Sequence, residues 1–202
     1  MKKTSKSKKS KPASVVRKVE TLVVNLLAGP GAGKSTMAAA IFAELKWRGI
    51  DCELAAEYAK DLVWEKRAKT FENQVYIFGK QHHRIFRLLG QVQVVITDSP
   101  LLLTPLYDAE NRYSLKTLVL EETEKCWNLN LLVQRKKAYN PNGRLHTKSQ
   151  AASIDKKIEG FLLENHIDYA LVDGSPDGVI QVADAIERML NEGKRKTTID
   201  VG

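Results

Sequence analysis

Eight residues, Ala28-Gly29-Pro30-Gly31-Ala32-Gly33-Lys34-Ser35, constrain what this chain can fold into more than any other segment. They follow an almost wholly apolar, branched run at residues 21–27 (TLVVNLL) and open the helical pattern TMAAAIFAELKW, which Gly49 stops. A short apolar run without alternation suits a strand buried on both faces of a parallel sheet. A glycine-rich turn between such a strand and a helix fits the phosphate-binding pattern A/G-x4-G-K-S/T. Composition alone produces that pattern in about one or two per cent of chains this long. The strand before it and the helix after it remove most such coincidences.

The chemistry explains the residue types. A polyphosphate needs several N–H donors converging on one point, so the loop must curl through conformations that glycine tolerates. Gly29, Gly31 and Gly33 supply that freedom, Pro30 stiffens the turn and Ala32 completes the cradle, while Ala28 stands where many such loops open with glycine. The following helix aims its N-terminal N–H groups and partial positive charge at the anion. Lys34 is expected to reach the β- and γ-phosphates of ATP, the Ser35 hydroxyl to ligate Mg²⁺, and Thr36 to touch the α-phosphate.

Further strand patterns lie at residues 51–56, 93–97, 129–133 and 169–172. They alternate with helical stretches near 59–69, 73–89, 114–127, 149–164 and 178–190, and no internal repeat is visible. Five strands alternating with helices predict a three-layer α/β fold around a five-stranded parallel sheet, with ligands beyond the carboxyl ends of the strands.

The other strand ends carry further candidates. Asp98 follows QVVIT and either holds Mg²⁺, directly or through water, or caps a turn before Pro100. Glu57 closes the second strand and either accepts the proton of an attacking hydroxyl or steadies a helix N-terminus. Arg135, Lys136, Lys137 and Arg144 bracket a turn-rich loop around Asn140-Pro141-Asn142-Gly143. That loop is either a solvated basic turn or a lid whose arginines, Arg135 and Arg144 foremost, neutralise a moving phosphoryl group. Gln81 and Arg84 sit on a helix expected to wall an acceptor pocket, where they contact substrate or are merely solvated. Trp64, Phe71 and Tyr76 either stack on a planar substrate or pack in the core; His82 and His83 have no evident partner. Gly174-Ser175-Pro176 is a candidate for adenine contact.

The net charge of +8 belongs to one end of the chain. Residues 1–18 hold eight Lys and Arg and no acid, and the rest carries 24 basic against 24 acidic residues. A Lys/Ser/Pro stretch of that kind forms no core. It reads as a disordered tail, either solubilising or able to bind DNA or RNA, ahead of one domain at 19–192 and a polar end at 193–202. No apolar run approaches the roughly 20 residues that span a bilayer, and no apolar segment follows the N-terminal lysines as in a secretory signal. With only Cys52 and Cys126, a reduced, cytoplasmic protein is expected. The oligomeric state is left open.

In combination, AGPGAGKST, AAEYAKDL, IFGKQ and VVITDSPLLLT resemble the small P-loop kinases typified by the ribosylnicotinamide kinase domain of bifunctional NAD-biosynthesis proteins. Phage-encoded P-loop proteins look similar, including PNGR followed by ID..I..FL. The resemblance covers residues 22–190. It implies a nucleoside- and nucleotide-kinase fold with an arginine-bearing lid, Glu57 as base or substrate ligand, Asp98 near Mg²⁺ and Gln81 in the pocket. The activity it implies is transfer of the ATP γ-phosphoryl group to a nucleoside, nucleotide or related small acceptor. Two rivals stand beside it: a kinase acting on nucleic acid, such as a modified base in phage DNA or a polynucleotide end, and an ATPase or switch with no acceptor.

Overall fold

The structure is a computed structural model that describes residues 20–135 and 148–193. The basic tail 1–18, the polar end beyond Gly193, and Lys136, Lys137, Arg144 and the Asn140–Gly143 turn lie outside the described residues. Five strands, β1 (Leu22–Leu27), β2 (Cys52–Ala55), β3 (Val94–Thr97), β4 (Trp127–Gln134) and β5 (Ala170–Asp173), form one sheet in the order β2-β3-β1-β4-β5. All four pairings are parallel. The central strand β1 is buried along its whole length, as its unalternating apolar sequence requires.

Helices α1 (Lys34–Trp47) and α8 (Pro176–Glu192) cover one face, where Ile41, Leu45 and Ile186 meet Leu22, Val24 and Leu26 of β1. The other face is covered by α4 (Gln74–Phe86), a 3₁₀ turn (Leu101–Leu103), α6 (Tyr113–Glu124) and α7 (Lys148–Glu164), through residues such as Phe78, Leu102, Val119 and Ile158. Strand alternation turns Asn25 to this second face, where its Nδ2 donates to Asn128 Oδ1 (3.0 Å) and Asn130 Oδ1 (2.9 Å). These amides, buried at Asn25 and Asn130 and partly buried at Asn128, lock β1 against β4, because a one-residue slip moves them to opposite faces.

Local expectations fail in three places. The helix expected near 59–69 is two, α2 (Tyr58–Trp64) and α3 (Ala68–Phe71), broken where Lys66 takes φ 55°. Trp127 begins β4 rather than ending α6, which stops at Glu124. A short helix α5 (Thr104–Tyr107) follows the 3₁₀ turn in a segment with no helical expectation. Among the described residues, no helix is long and apolar enough to cross a membrane.

Candidate functional site

Parallel strands bring every carboxyl end to one edge of the sheet. Reading across it, Glu57 follows β2, Asp98 follows β3, the glycine-rich loop follows β1, Arg135 follows β4 and Gly174 follows β5. Neighbouring strands lie about 4.8 Å apart, so these five groups form one row.

Within the loop, Gly31 and Gly33 take φ 83° and 99°, left-handed values that only glycine adopts without strain. Gly33 caps α1 with its backbone, and no side chain caps that helix or adds an acid to its first turn. The first N–H groups of α1 are therefore available to an anion. Lys34 folds back over its own loop, with Nζ donating to Ala28 O (2.7 Å) and Gly29 O (3.3 Å). Loss of water pushes its ammonium pKa down, while Glu57, Asp98 and Asp155 hold it up.

The two strand-end acids touch. The Glu57 N–H donates to Asp98 Oδ1 at 3.0 Å, and Asp98 is buried. Desolvation pushes the Glu57 carboxyl above the usual carboxylate range, partly offset by Lys34.

Loop and acids open on one cavity of about 550 Å³, whose lining includes Ser35, Thr36, Glu57 and Asp98. The lining also includes the apolar and aromatic side chains of Val63, Trp64, Phe71, Ile77, Leu103 and Tyr107. The Tyr107 phenol is pushed up to about 12 by burial and by Glu57. Gln74 also lines the cavity; it is buried, and its Nε2 donates to Phe71 O at 3.1 Å. No described residue donates to its oxygen. Sequence reasoning missed Gln74, although a signal existed: Gln74, Ile77, Phe78, Gln81 and Ile85 fall on the single buried stripe of α4.

Other expected residues lie elsewhere. Gln81 stands behind the cavity rather than in it, because its amide serves the protein: Oε1 accepts from the Tyr58 N–H (2.9 Å) and Nε2 approaches Thr97 Oγ1 (3.3 Å). Arg84 is likewise outside the lining, donating to Ala56 O and paired with Asp61. Tyr76 hydrogen-bonds to the Tyr58 hydroxyl, and His82 has a partner after all in Glu122, at 3.3 Å. Arg135 lies against the phosphate loop, its Nη1 donating to Pro30 O at 2.8 Å and its Nε to Asp155 at 2.6 Å. Arg144 is outside the described residues. A side chain built at Gly174 would come within 3.2 Å of Ala32 O, so the turn after β5 abuts the loop.

No cluster of three or more His, Cys, Asp or Glu among the described residues could cage a metal alone. Ser35 and Asp98 do line the same cavity, and a hydroxyl plus one carboxylate is the donor set that Mg²⁺ takes when phosphates complete its shell.

A family model described as an AAA domain matches residues 23–177. The chain belongs to that family. No curated protein matches it. Among solved structures, this AAA-domain chain resembles NadR protein in complex with NR, at 14% identity and a TM-score of 0.61, over 87% of its own length and 53% of NadR. It therefore spans about half of NadR. Deoxyadenosine kinase from M. mycoides with bound dATP matches at 17% identity and a TM-score of 0.51, over 82% of this chain and 99% of that one. The sheet order and these likenesses make the fold a P-loop kinase-like one.

Proposed function

We propose that this protein is a kinase that moves the γ-phosphoryl group of ATP to a hydroxyl of a small, uncharged, nucleoside-like acceptor. The observation that carries this reading is the cavity of about 550 Å³ that opens on the phosphate loop and is also lined by Trp64, Phe71 and Tyr107. A protein that only hydrolyses or senses ATP needs no apolar and aromatic lining beyond the phosphate loop, whereas a small planar acceptor held beside the phosphates does.

In this scheme the loop amides and Lys34 hold the triphosphate, Lys34 leaving its carbonyl partners for the β- and γ-phosphates. Mg²⁺, when bound by Ser35 and Asp98, would neutralise phosphate charge. Glu57 accepts the proton of the acceptor hydroxyl as its oxygen bonds to the γ-phosphorus and the bond to the bridging oxygen breaks, releasing ADP. A carboxylate with a raised pKa is the stronger base for that task. Arg135 supplies charge beside the loop. Gln74 offers an amide oxygen to an N–H or O–H of the acceptor, and Trp64 and Phe71 cover its ring.

An uncharged acceptor is favoured over a phosphorylated one by the cation inventory. Arg67 pairs with Glu65 at 3.2 Å and Arg84 with Asp61, both outside the lining. Among the described residues, only Lys60 joins Lys34 as a cation in the lining, which also holds the acids Glu57 and Asp98. A γ-labelled phosphate-transfer screen against nucleosides, nicotinamide riboside, nucleoside monophosphates and DNA tests the reading. Label should pass to a nucleoside, and Lys34→Ala should reduce transfer at least 100-fold. ATP turnover indifferent to every acceptor would sink it.

A further inference from the structure

The proposed scheme has no task for Asp155, yet this carboxylate on α7 accepts three hydrogen bonds at the phosphate loop. Its Oδ1 accepts the Gly29 N–H at 2.6 Å, and its Oδ2 accepts Arg135 Nε–H at 2.6 Å. Arg135 Nη2 donates to the same Oδ1 at 3.3 Å and to Ala151 O at 3.4 Å, while Nη1 donates to Pro30 O at 2.8 Å. The bonds close a ring from Gly29 through Asp155 and Arg135 to Pro30. A single carboxylate thus ties together the loop after β1, the end of β4 and the helix α7.

Four of the five guanidinium N–H groups of Arg135 are directed by these contacts, which fixes its plane against the loop before any phosphate arrives. An arginine held this way loses little freedom on meeting charge, which is the condition for preorganised electrostatic stabilisation. Lys34 feels both partners, raised by Asp155 and lowered by Arg135, so the pair adds orientation at the loop with little net charge.

We infer that Asp155 is a positioning residue that seats Arg135 for phosphoryl transfer and touches neither ATP nor acceptor. The inference rests on the proposed kinase reading for what Arg135 meets. It differs from a plain brace between α7 and the loop in one respect: its effect must pass through Arg135.

Asp155→Asn separates the two. The amide oxygen can still accept the Gly29 N–H, so α7 stays docked, but an NH₂ group then faces Arg135 Nε–H and unseats it. Turnover of γ-labelled ATP, to acceptor and to water, is measured together with ATP affinity by titration. Asp155→Asn should lower kcat at least tenfold and leave the ATP Kd within threefold. Added to Arg135→Ala it should cost less than a further twofold, the non-additivity of residues acting as a unit. An unchanged kcat, a Kd that weakens in step with kcat, or losses that multiply with those of Arg135→Ala would each overturn the assignment. NMR of the arginine side chains gives a readout that needs no acceptor: the wild-type Arg135 Nε–H should be protected from exchange and Asp155→Asn should expose it, whereas a freely exchanging wild-type signal would also overturn it. Hydrolysis to water that falls tenfold in Asp155→Asn, with no acceptor used by the wild type, would remove the kinase reading and keep this one.

Discussion

Replacing Gly29 with alanine isolates the contact between α7 and the phosphate loop. Gly29 does not take a positive φ, so alanine is acceptable to the backbone and only space opposes it. The added Cβ would lie 2.7 Å from Ala151 O, 3.0 Å from Asp155 Oδ1 and 3.1 Å from Arg135 Nη2, where ordinary contact starts at 3.4 Å. Subtracting 2.7 from 3.4, loop and helix must separate by about 0.7 Å at the carbonyl. The carbonyl cannot swing aside as a side chain would, and α7 is anchored in the core by Ile158, Phe161 and Leu162. Overpacking of this kind costs about 1–3 kcal/mol, and stretching the charge-assisted bond from Gly29 to Asp155 adds roughly 1 kcal/mol. About 3 kcal/mol in total, at roughly 2–4 °C per kcal/mol for a domain of this size, lowers Tm by about 6–12 °C. Gly33→Ala is the control: it meets open space and only the strain of φ +99°, about 1–2 kcal/mol. Thermal unfolding of both variants, with ATP titrated in parallel, checks the order. A Gly29→Ala protein melting within 2 °C of wild type, or above Gly33→Ala, would refute the reasoning.

Three further substitutions probe other parts of the molecule. Glu57→Gln should reduce transfer by about 100-fold or more and abolish the acid limb of the wild-type pH–rate profile, whose midpoint should lie above the ordinary glutamate value of 4.5. Its stability should move the opposite way: with a raised carboxyl pKa the folded state binds more protons than the unfolded one, so wild-type stability falls as pH rises through the window above 4.5, and Glu57→Gln should melt higher at neutral pH. Asn25→Ala strips the donor from Asn128 and Asn130 and should cost about 2–4 kcal/mol, read as a lower urea midpoint at unchanged m. Trp64→Ala, at a side chain 72% exposed beside the cavity, should raise the acceptor KM about fivefold or more while Tm stays within 2 °C, since little area is buried.

What could be read in the sequence follows from the range of the interaction concerned. The loop, its strand and its helix are contiguous, and glycine freedom and strand burial are written residue by residue, so Gly29 to Thr36 needed no partner to be recognised. Asp98 and Glu57 were found by a rule about parallel sheets that depends only on where a strand stops. Asp155 has no such signature: it lies in a helix, 126 residues from Gly29, and its meaning comes from what folding brings against it. Gln81 shows the converse. Its type suggested recognition, but a glutamine on the buried stripe of α4 satisfies the strand ends first, leaving Gln74, about two turns earlier, to face the cavity. Lys66 could not announce a helix break either: it is exposed and takes φ 55° in a helix-ending turn closed by Lys66 N–H to Val63 O and Arg67 N–H to Leu62 O, a position where glycine is the usual signal.

The strand order explains why these scattered residues make a site with two sides. With β1 in the middle, β3 and β2 carry Asp98 and Glu57 to one flank of the loop, and β4 and β5 carry Arg135 and Gly174 to the other. Beyond the loop itself, the cavity takes its strand-end groups from the first flank: its lining includes Glu57 and Asp98 and omits Arg135 and Gly174. The second flank is closed against the loop by Asp155 and Arg135 and abutted by the turn after β5. In the proposed scheme, a triphosphate seated on the loop amides would meet a guanidinium held by Asp155 on one side and an acid-lined cavity on the other. That asymmetry is what a transfer reaction needs, since the acceptor must approach from the side where a base waits and the charge-stabilising group must not block it. Exchanging β3 and β4 would keep every local motif and destroy the arrangement.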